Sequence, residues 1–303
     1  MITSPNPADP SLSQALPEAL PLAELIRSTH SVVSLPEVYY RVQSLLEDPD
    51  HDLGTLARVI EADTGLTARL LRAVNSPLYG LSRRVDRISH AIALLGSQAI
   101  RDIVLATSVA RIFSRLPARL VDISTFWHHS IYCALIAKQL APRCRILHGE
   151  RMAVAGILHD IGQLVLYRIQ PVLAAEALAR AEPADDGAYL AERQVFGYTH
   201  AEVGAELLKA WRLPESLQET LRNHHEPRED SGYALESAIL HLANSIANRE
   251  EPGRSLPACE PRIAPTAWAI TGLTEEVIDP VLSEASAAFL ETLDMLLPGK
   301  PYG

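Results

Sequence analysis

Cysteine, aromatic rings and positive charge are all scarce in this sequence, and each shortage removes a class of function. The three cysteines, Cys133, Cys144 and Cys259, stand far apart with no CxxC, so neither a disulfide framework nor a thiolate zinc site is indicated. Aromatic residues make up 5% of the chain, too few for a platform on which nucleic-acid bases stack. The formal net charge is −10 at pH 7, whereas a protein that neutralises phosphates needs a basic surface. Nucleic acid is therefore not an expected partner. No run of about 18 uncharged apolar residues is present, and the opening "MITSPNPADPSLSQALPEALP" lacks a cationic start and an apolar core. The expected location is the cytoplasm, without membrane insertion. Gly-rich phosphate loops, GxSxG and a Cys-His nucleophile pair are also missing.

What the chain does have is apolar content and helical period. Hydrophobic residues make up 48% of 303, ample for a packed core. Apolar positions recur at three- and four-residue spacing in "EVYYRVQSLLED", "LGTLARVIEAD", "LTARLLRAVN", "SQAIRDIVLATSVARIF", "ISTFWHHSIYCALIAKQLA" and "ERMAVAGILHDIGQLVLYRI". The pattern continues in "THAEVGAELLKAW", "PESLQETLRNHH", "LESAILHLANSIANR" and "EEVIDPVLSEASAAFLETLDMLL". Ser97 after Gly96, the Thr199/Glu202 capping-box spacing and Pro214 mark helix starts. Strand-like alternation is scarce, so the expected fold class is all-α. The expected organisation is a lead-in over residues 1–18, an N-terminal helical lobe over 19–118, a second lobe over 119–250 and a C-terminal helical extension over 251–303. The seam is placed near "SRLPARLVD", residues 114–122.

The histidines gather in the second lobe. His128 and His129 lie on one helix, His159 and Asp160 on the next, His200 opens another, and His224 and His225 close the one after. Short loops would bring such helices together. Neutral imidazoles with a carboxylate suit Fe, Mn or Zn, and a carboxylate can bridge two such ions. Each histidine taken singly also reads as a hydrogen-bonded core or cap residue. Trp127, Trp211 and Tyr167 read as core.

The stretches "FWHHSIYCALIAKQLA", "ERMAVAGILHDIGQLVL" and "GYTHAEVGAELLKAWRLPESLQETLRNHHEP" resemble the HDOD domain, a regulatory relative of the HD-type metal-dependent phosphohydrolases. Upstream, Leu35-Pro36, Asp63, Leu66, Asn75-Ser76, Tyr79 and Leu95-Gly96 resemble that family's N-terminal helical lobe. The likeness runs from about Leu35 to Pro227. It implies metal-ligand positions at His129, His159, Asp160, His200, His224 and His225, with Asn244 where hydrolytic relatives carry an aspartate. An amide oxygen is an uncharged, weaker ligand than a carboxylate. "HHEPREDSGYAL" likewise follows the His-His-Glu and Gly-Tyr-Pro elements of the cyclic-dinucleotide phosphodiesterase branch, but Ala234 replaces the proline. His241, three residues before Asn244, reads as a packing residue or a substitute ligand.

In "AVNSPLYGLSRRV", Asn75, Ser76, Tyr79, Arg83 and Arg84 are candidate ligand or partner contacts, beside the plainer reading of a helix elbow with solvated arginines. The resemblance implies a non-catalytic regulator in bacterial signal transduction, acting on a signalling protein carried on another chain, with a divalent metal or small ligand in the histidine-lined cleft. Two alternatives stay open: a metal-dependent phosphohydrolase acting on a cyclic dinucleotide, and a nucleotide-binding sensor without hydrolysis.

Overall fold

In the computed structural model, which describes residues 16–30, 33–48, 52–113, 120–147, 149–182, 186–250 and 263–297, every regular element is a helix. The order is α1 (Leu22–His30), α2 (Glu37–Glu47), α3 (Leu53–Glu61), α4 (Thr64–Val74), α5 (Ile88–Phe113), α6 (Ile123–Arg143), α7 (Gly149–Leu158), α8 (Ile161–Ile169), α9 (Pro171–Arg180), α10 (Gly187–Phe196), α11 (His200–Ala210), α12 (Glu215–Arg222), α13 (Ala234–Glu250), α14 (Pro265–Thr271) and α15 (Ile278–Leu296), with a 3₁₀ turn at Glu275–Val277. Local chemistry sets many of these boundaries. Asp52 accepts from the backbone N–H of Gly54 and Thr55, Asp63 from Leu66, and Asp122 from Ser124, each satisfying donors that a helix start leaves open. Thr199 and Glu202 form the capping box that opens α11. At Gly96 the backbone takes φ +81°, so α5 is bent where the sequence signals a new start at Ser97.

Helix α6 is the axis of the second lobe. Its buried face, including Trp127, Tyr132 and Leu140, is covered by α7, α13 and α15. Helices α2 to α4 pack on α5, and α5 also lies against α7, joining the two lobes. Lys138 on α6 reinforces that junction by donating to the Leu78 carbonyl, with its ammonium 5.8 Å from the Tyr79 ring centre.

Four features depart from the sequence reading. Helix α1 packs on α8 and α11, and Leu20 just before it donates to Gln170 Oε1 and accepts from the Tyr198 hydroxyl, so residues 20–30 belong with the second lobe. The C-terminal extension is part of the body, since Phe289 and Leu293 are buried and α15 touches both α6 and α4. Helices α9 and α10 occupy a region left unassigned between periodic runs. The run 150–169, expected as one helix, is broken at His159-Asp160. Most of the expected lead-in, most of the seam and the Pro-rich link after Glu250 lie outside the described residues. Two stretches, Ile88–Phe113 and Gly149–Ile169, are long and apolar enough to cross a bilayer. Both are largely buried in the protein's own core.

Candidate metal centre

The break between α7 and α8 carries the site, and two glycines place it. At Gly156 the backbone of α7 lies so close to α6 that a Cβ would stand 2.5 Å from Ala134 Cα; at Gly162 a Cβ would strike the His200 carbonyl oxygen of α11. Between these two contacts the chain leaves helical geometry for two residues, and both of them, His159 and Asp160, are buried. His129 reaches in from α6, His200 from the first position of α11, His224 and His225 from the end of α12, and Asn244 from α13.

Asp160 is shared by two groups of imidazoles. Its Oδ2 lies 3.2 Å from His159 Nε2 and 3.9 Å from His129 Nε2. Its Oδ1 lies 3.1 Å from His200 Nε2 and 3.8 Å from His224 Nε2. His225 Nε2 is 3.0 Å from His200 Nε2, and its ring stacks on Tyr189 with centroids 4.4 Å apart. All seven residues named from the sequence are thus brought to one place. The ligand atoms of the six other than Asn244 fall into two sets, Asp160/His200/His224/His225 and His129/His159/Asp160, each within 4.8 Å of one another.

Outer contacts orient the rings. His159 Nδ1 donates to Gly156 O at 2.8 Å and His224 Nδ1 to Leu221 O at 2.6 Å. A carbonyl can only accept, so Nδ1 carries a proton in each ring and Nε2 is turned toward Asp160. Glu192 on α10 accepts from both the His200 backbone N–H and its Nδ1, each at 2.7 Å. His159 Nε2 and His224 Nε2 are sealed from solvent with no hydrogen-bond partner, and Asp160 Oδ1, equally sealed, has His200 Nε2 beside it at 3.1 Å. Burying ring nitrogens in this way is costly unless something binds them. A divalent cation fits this nitrogen-rich, singly carboxylate-bridged set.

Asn244 points its Oδ1 at His129, whose Nε2–H donates to it at 3.0 Å, and Asn248 donates to the same oxygen at 3.3 Å. His241 is not part of the cluster: its Nδ1 donates to His224 O at 2.8 Å, and its Nε2 accepts from the Ala264 N–H at 2.9 Å. His128 lies against Phe289. In the elbow, Asn75 holds Val85 through both its amide groups, while Ser76 and Tyr79 are buried and Arg83 and Arg84 are exposed.

Sequence reasoning missed Glu192 and Tyr189. A signal was present: Gly197, in the left-handed region at φ +80°, ends α10 and lets α11 fold back beside it, so an acid eight residues before His200 can face that histidine.

Burial works against the charge on Asp160, but the imidazoles of His159 and His200 outweigh it and hold the carboxyl well below its usual range. Burial also opposes charge on His200, yet Glu192 and Asp160 together push it up to about 10. Burial, followed by the charges of neighbouring histidines, keeps His224 and His225 well below the usual imidazole range. Without metal, stability therefore slopes in opposite directions on either side of ~6.5, the ordinary imidazole value. Below it, the unfolded chain takes up protons at His224 and His225 that the folded chain refuses, so stability rises with pH. Above it, folded His200 keeps a proton the unfolded chain has released, so stability falls as pH climbs toward about 10. The protein in EDTA is expected to be most stable near pH ~6.5; a urea midpoint climbing steadily from there into the alkaline range contradicts this.

A family model described as the HDOD domain matches residues 32–227. Among curated proteins, one from Treponema pallidum (strain Nichols), whose name assigns no activity, is 23% identical over 231 residues, covering 75% of this chain and 44% of the relative. The chain thus spans less than half the length of that relative. A solved HDOD domain protein of unknown function from Geobacter sulfurreducens superposes with TM-score 0.70 at 25% identity, covering 91% of this chain and 98% of that one. Two more structures, both 23% identical, share the fold. One is a candidate phosphohydrolase from Shewanella amazonensis SB2B, with TM-score 0.69 and 90% and 97% of the two chains covered. The other is a candidate signal transduction protein from Marinobacter aquaeolei VT8, with TM-score 0.67 and 91% and 64% covered.

Proposed function

The chain belongs to the HDOD domain family, and on that premise we propose that it is a metal-holding cytoplasmic regulator without hydrolytic turnover, acting in signal transduction through contact with a signalling protein on another chain. Access supports this reading most directly. A hydrolytic metal centre keeps one coordination position open to water and substrate. Here His159 Nε2, His224 Nε2 and Asp160 Oδ1 have no solvent contact, and the His129 and Asp160 side chains keep only 14% and 11% exposure, a narrow opening for a phosphodiester. Asn244 adds to it, because a neutral amide engaged by His129 stands where a further anion would balance a second divalent ion.

A bound Fe, Mn or Zn ion supplies Lewis acidity and, where water reaches it, lowers that water's pKa. The chain's own residues do the rest. Gly156 O, Leu221 O and Glu192 fix the ring orientations, Asp160 links the two imidazole groups, and the surrounding helices keep solvent from His159 Nε2, His224 Nε2 and Asp160 Oδ1. A regulator uses such a centre to brace α6, α7, α11, α12 and α13 against one another.

One observation favours the enzyme reading: Asp160 faces two imidazole groups with separate oxygens, as a bridging carboxylate in a two-metal hydrolase does. The experiment is elemental analysis of protein purified without chelator, paired with a phosphodiesterase assay on a generic diester and on cyclic dinucleotides in Mn or Fe. Bound metal and no product above an Asp160→Asn control is the expected result. Multiple turnovers that vanish in that control overturn it.

A further inference from the structure

The histidine centre leaves one motif of the sequence without a role, the arginines of "YGLSRRVDR". Arg83 and Arg84 from this loop and Arg72 from the last turn of α4 line a groove of about 760 Å³, closed on its far side by α15. That volume lies within the ~300–1,000 Å³ of small-molecule sites. Among the described residues, none of these three guanidiniums has a carboxylate partner. The loop that presents two of them is held in place: Asn75 Nδ2 donates to Val85 O at 2.8 Å, and Val85 N donates to Asn75 Oδ1 at 2.7 Å. Gly80 makes the turn at φ +60°. Three like charges are therefore gathered around one groove in a chain whose net charge is −10, against the two carboxylates, Asp86 and Glu291, that also line it, an arrangement that an anion at the arginines relieves.

The remaining lining narrows the anion's identity. Leu71, Leu81 and Val85 give the groove an apolar wall, and α15 contributes Met295 and Glu291. Asp86 at the rim faces Arg87 at 3.9 Å, so its charge is partly answered. An occupant must combine phosphate-like charge for the arginines, a flat or apolar body for the wall, and a hydrogen-bond donor for Glu291. A free inorganic phosphate has only the first. We propose that this groove binds a nucleoside diphosphate, with its phosphates on Arg72, Arg83 and Arg84 and its base between the apolar wall and α15. No residue of the groove belongs to the histidine centre, so this site stands whether or not the metal reading does.

The test is calorimetric titration of the full chain in 0.15 M salt with GDP, ADP, inorganic pyrophosphate and a poly-glutamate peptide. A nucleoside diphosphate is expected to bind at least ~10-fold tighter than pyrophosphate, because only the nucleotide covers the apolar wall. The double variant Arg83→Ala/Arg84→Ala is expected to weaken it by ~10-fold or more, since two charge-assisted contacts are lost. Melting temperature and metal content should be unchanged, because both side chains are exposed and unpaired. Arg72→Ala, on a different element, should weaken binding in the same direction. The proposal fails if neither nucleotide binds, if pyrophosphate equals them, or if the arginine variants bind normally. It fails equally if Asp160→Asn abolishes nucleotide binding, or if the acidic peptide binds and the nucleotides do not.

Discussion

Replacing Gly162 by alanine is expected to destabilise the fold by about 3 kcal/mol or more and to empty the metal centre. At this position α8 crosses α11 backbone to backbone: an added Cβ would overlap the His200 carbonyl oxygen and stand 2.8 Å from Gly204 N. A flexible side chain could swing aside, but a helix backbone cannot without moving the whole element. The obstacle is also functional, since the carbonyl belongs to His200, whose Nε2 lies 3.1 Å from Asp160 Oδ1. Any shift that admits the methyl group separates the two. Gly232→Ala is the control, because a Cβ there meets nothing within 4 Å; its effect should stay within about 0.5 kcal/mol. Urea midpoints and metal content of the two variants check the contrast, and a Gly162→Ala protein that melts like the parent rules out this helix crossing.

That crossing also marks what the sequence could and could not convey. Helical period and cap chemistry made most helices legible, and the doublet His159-Asp160 with its paired histidines named the residues of the centre. The break between α7 and α8 was invisible for a physical reason. Both helices are buried nearly all round, as Met152 to Leu158 and Ile161 to Leu166 show, so the apolar run continues across the two residues that leave the helix. Gly156 and Gly162, which permit that break to sit against α6 and α11, read locally as tolerated helix glycines. Glu192 was lost differently. Its helix is short and carries charge on its outer face, and an acid there looks solvated until Gly197 folds α11 back and buries it against His200. Asn75 shows the reverse: a polar residue before Ser-Pro suggests a surface contact, while the fold uses both its amide groups to clamp Val85.

Asp160→Asn is expected to release the metal while leaving the helices in place. The substitution conserves volume and removes one charge, so the packing around α7 and α8 is retained and the loss falls on coordination. Because Asp160 is the one residue common to both ligand sets, neither set keeps an anion. The fall in affinity should exceed the ~10–100-fold that loss of an outer-shell partner brings. Glu192→Gln supplies that reference. It leaves every ligand atom present but removes the carboxylate that accepts from His200 Nδ1 at 2.7 Å, so its loss should fall inside the outer-shell range. The metal-free proteins separate the roles further. Glu192 and Asp160 together hold His200 protonated up to about 10, so removing either anion lowers that value and shrinks the stability His200 contributes, a contribution present in full below ~6.5. Competition titration with a chelator measures the affinities, and urea midpoints in EDTA measure the rest. An Asp160→Asn protein that retains parental metal content would mean that the imidazoles alone hold the ion, and the shared carboxylate would then be a structural partner of His200.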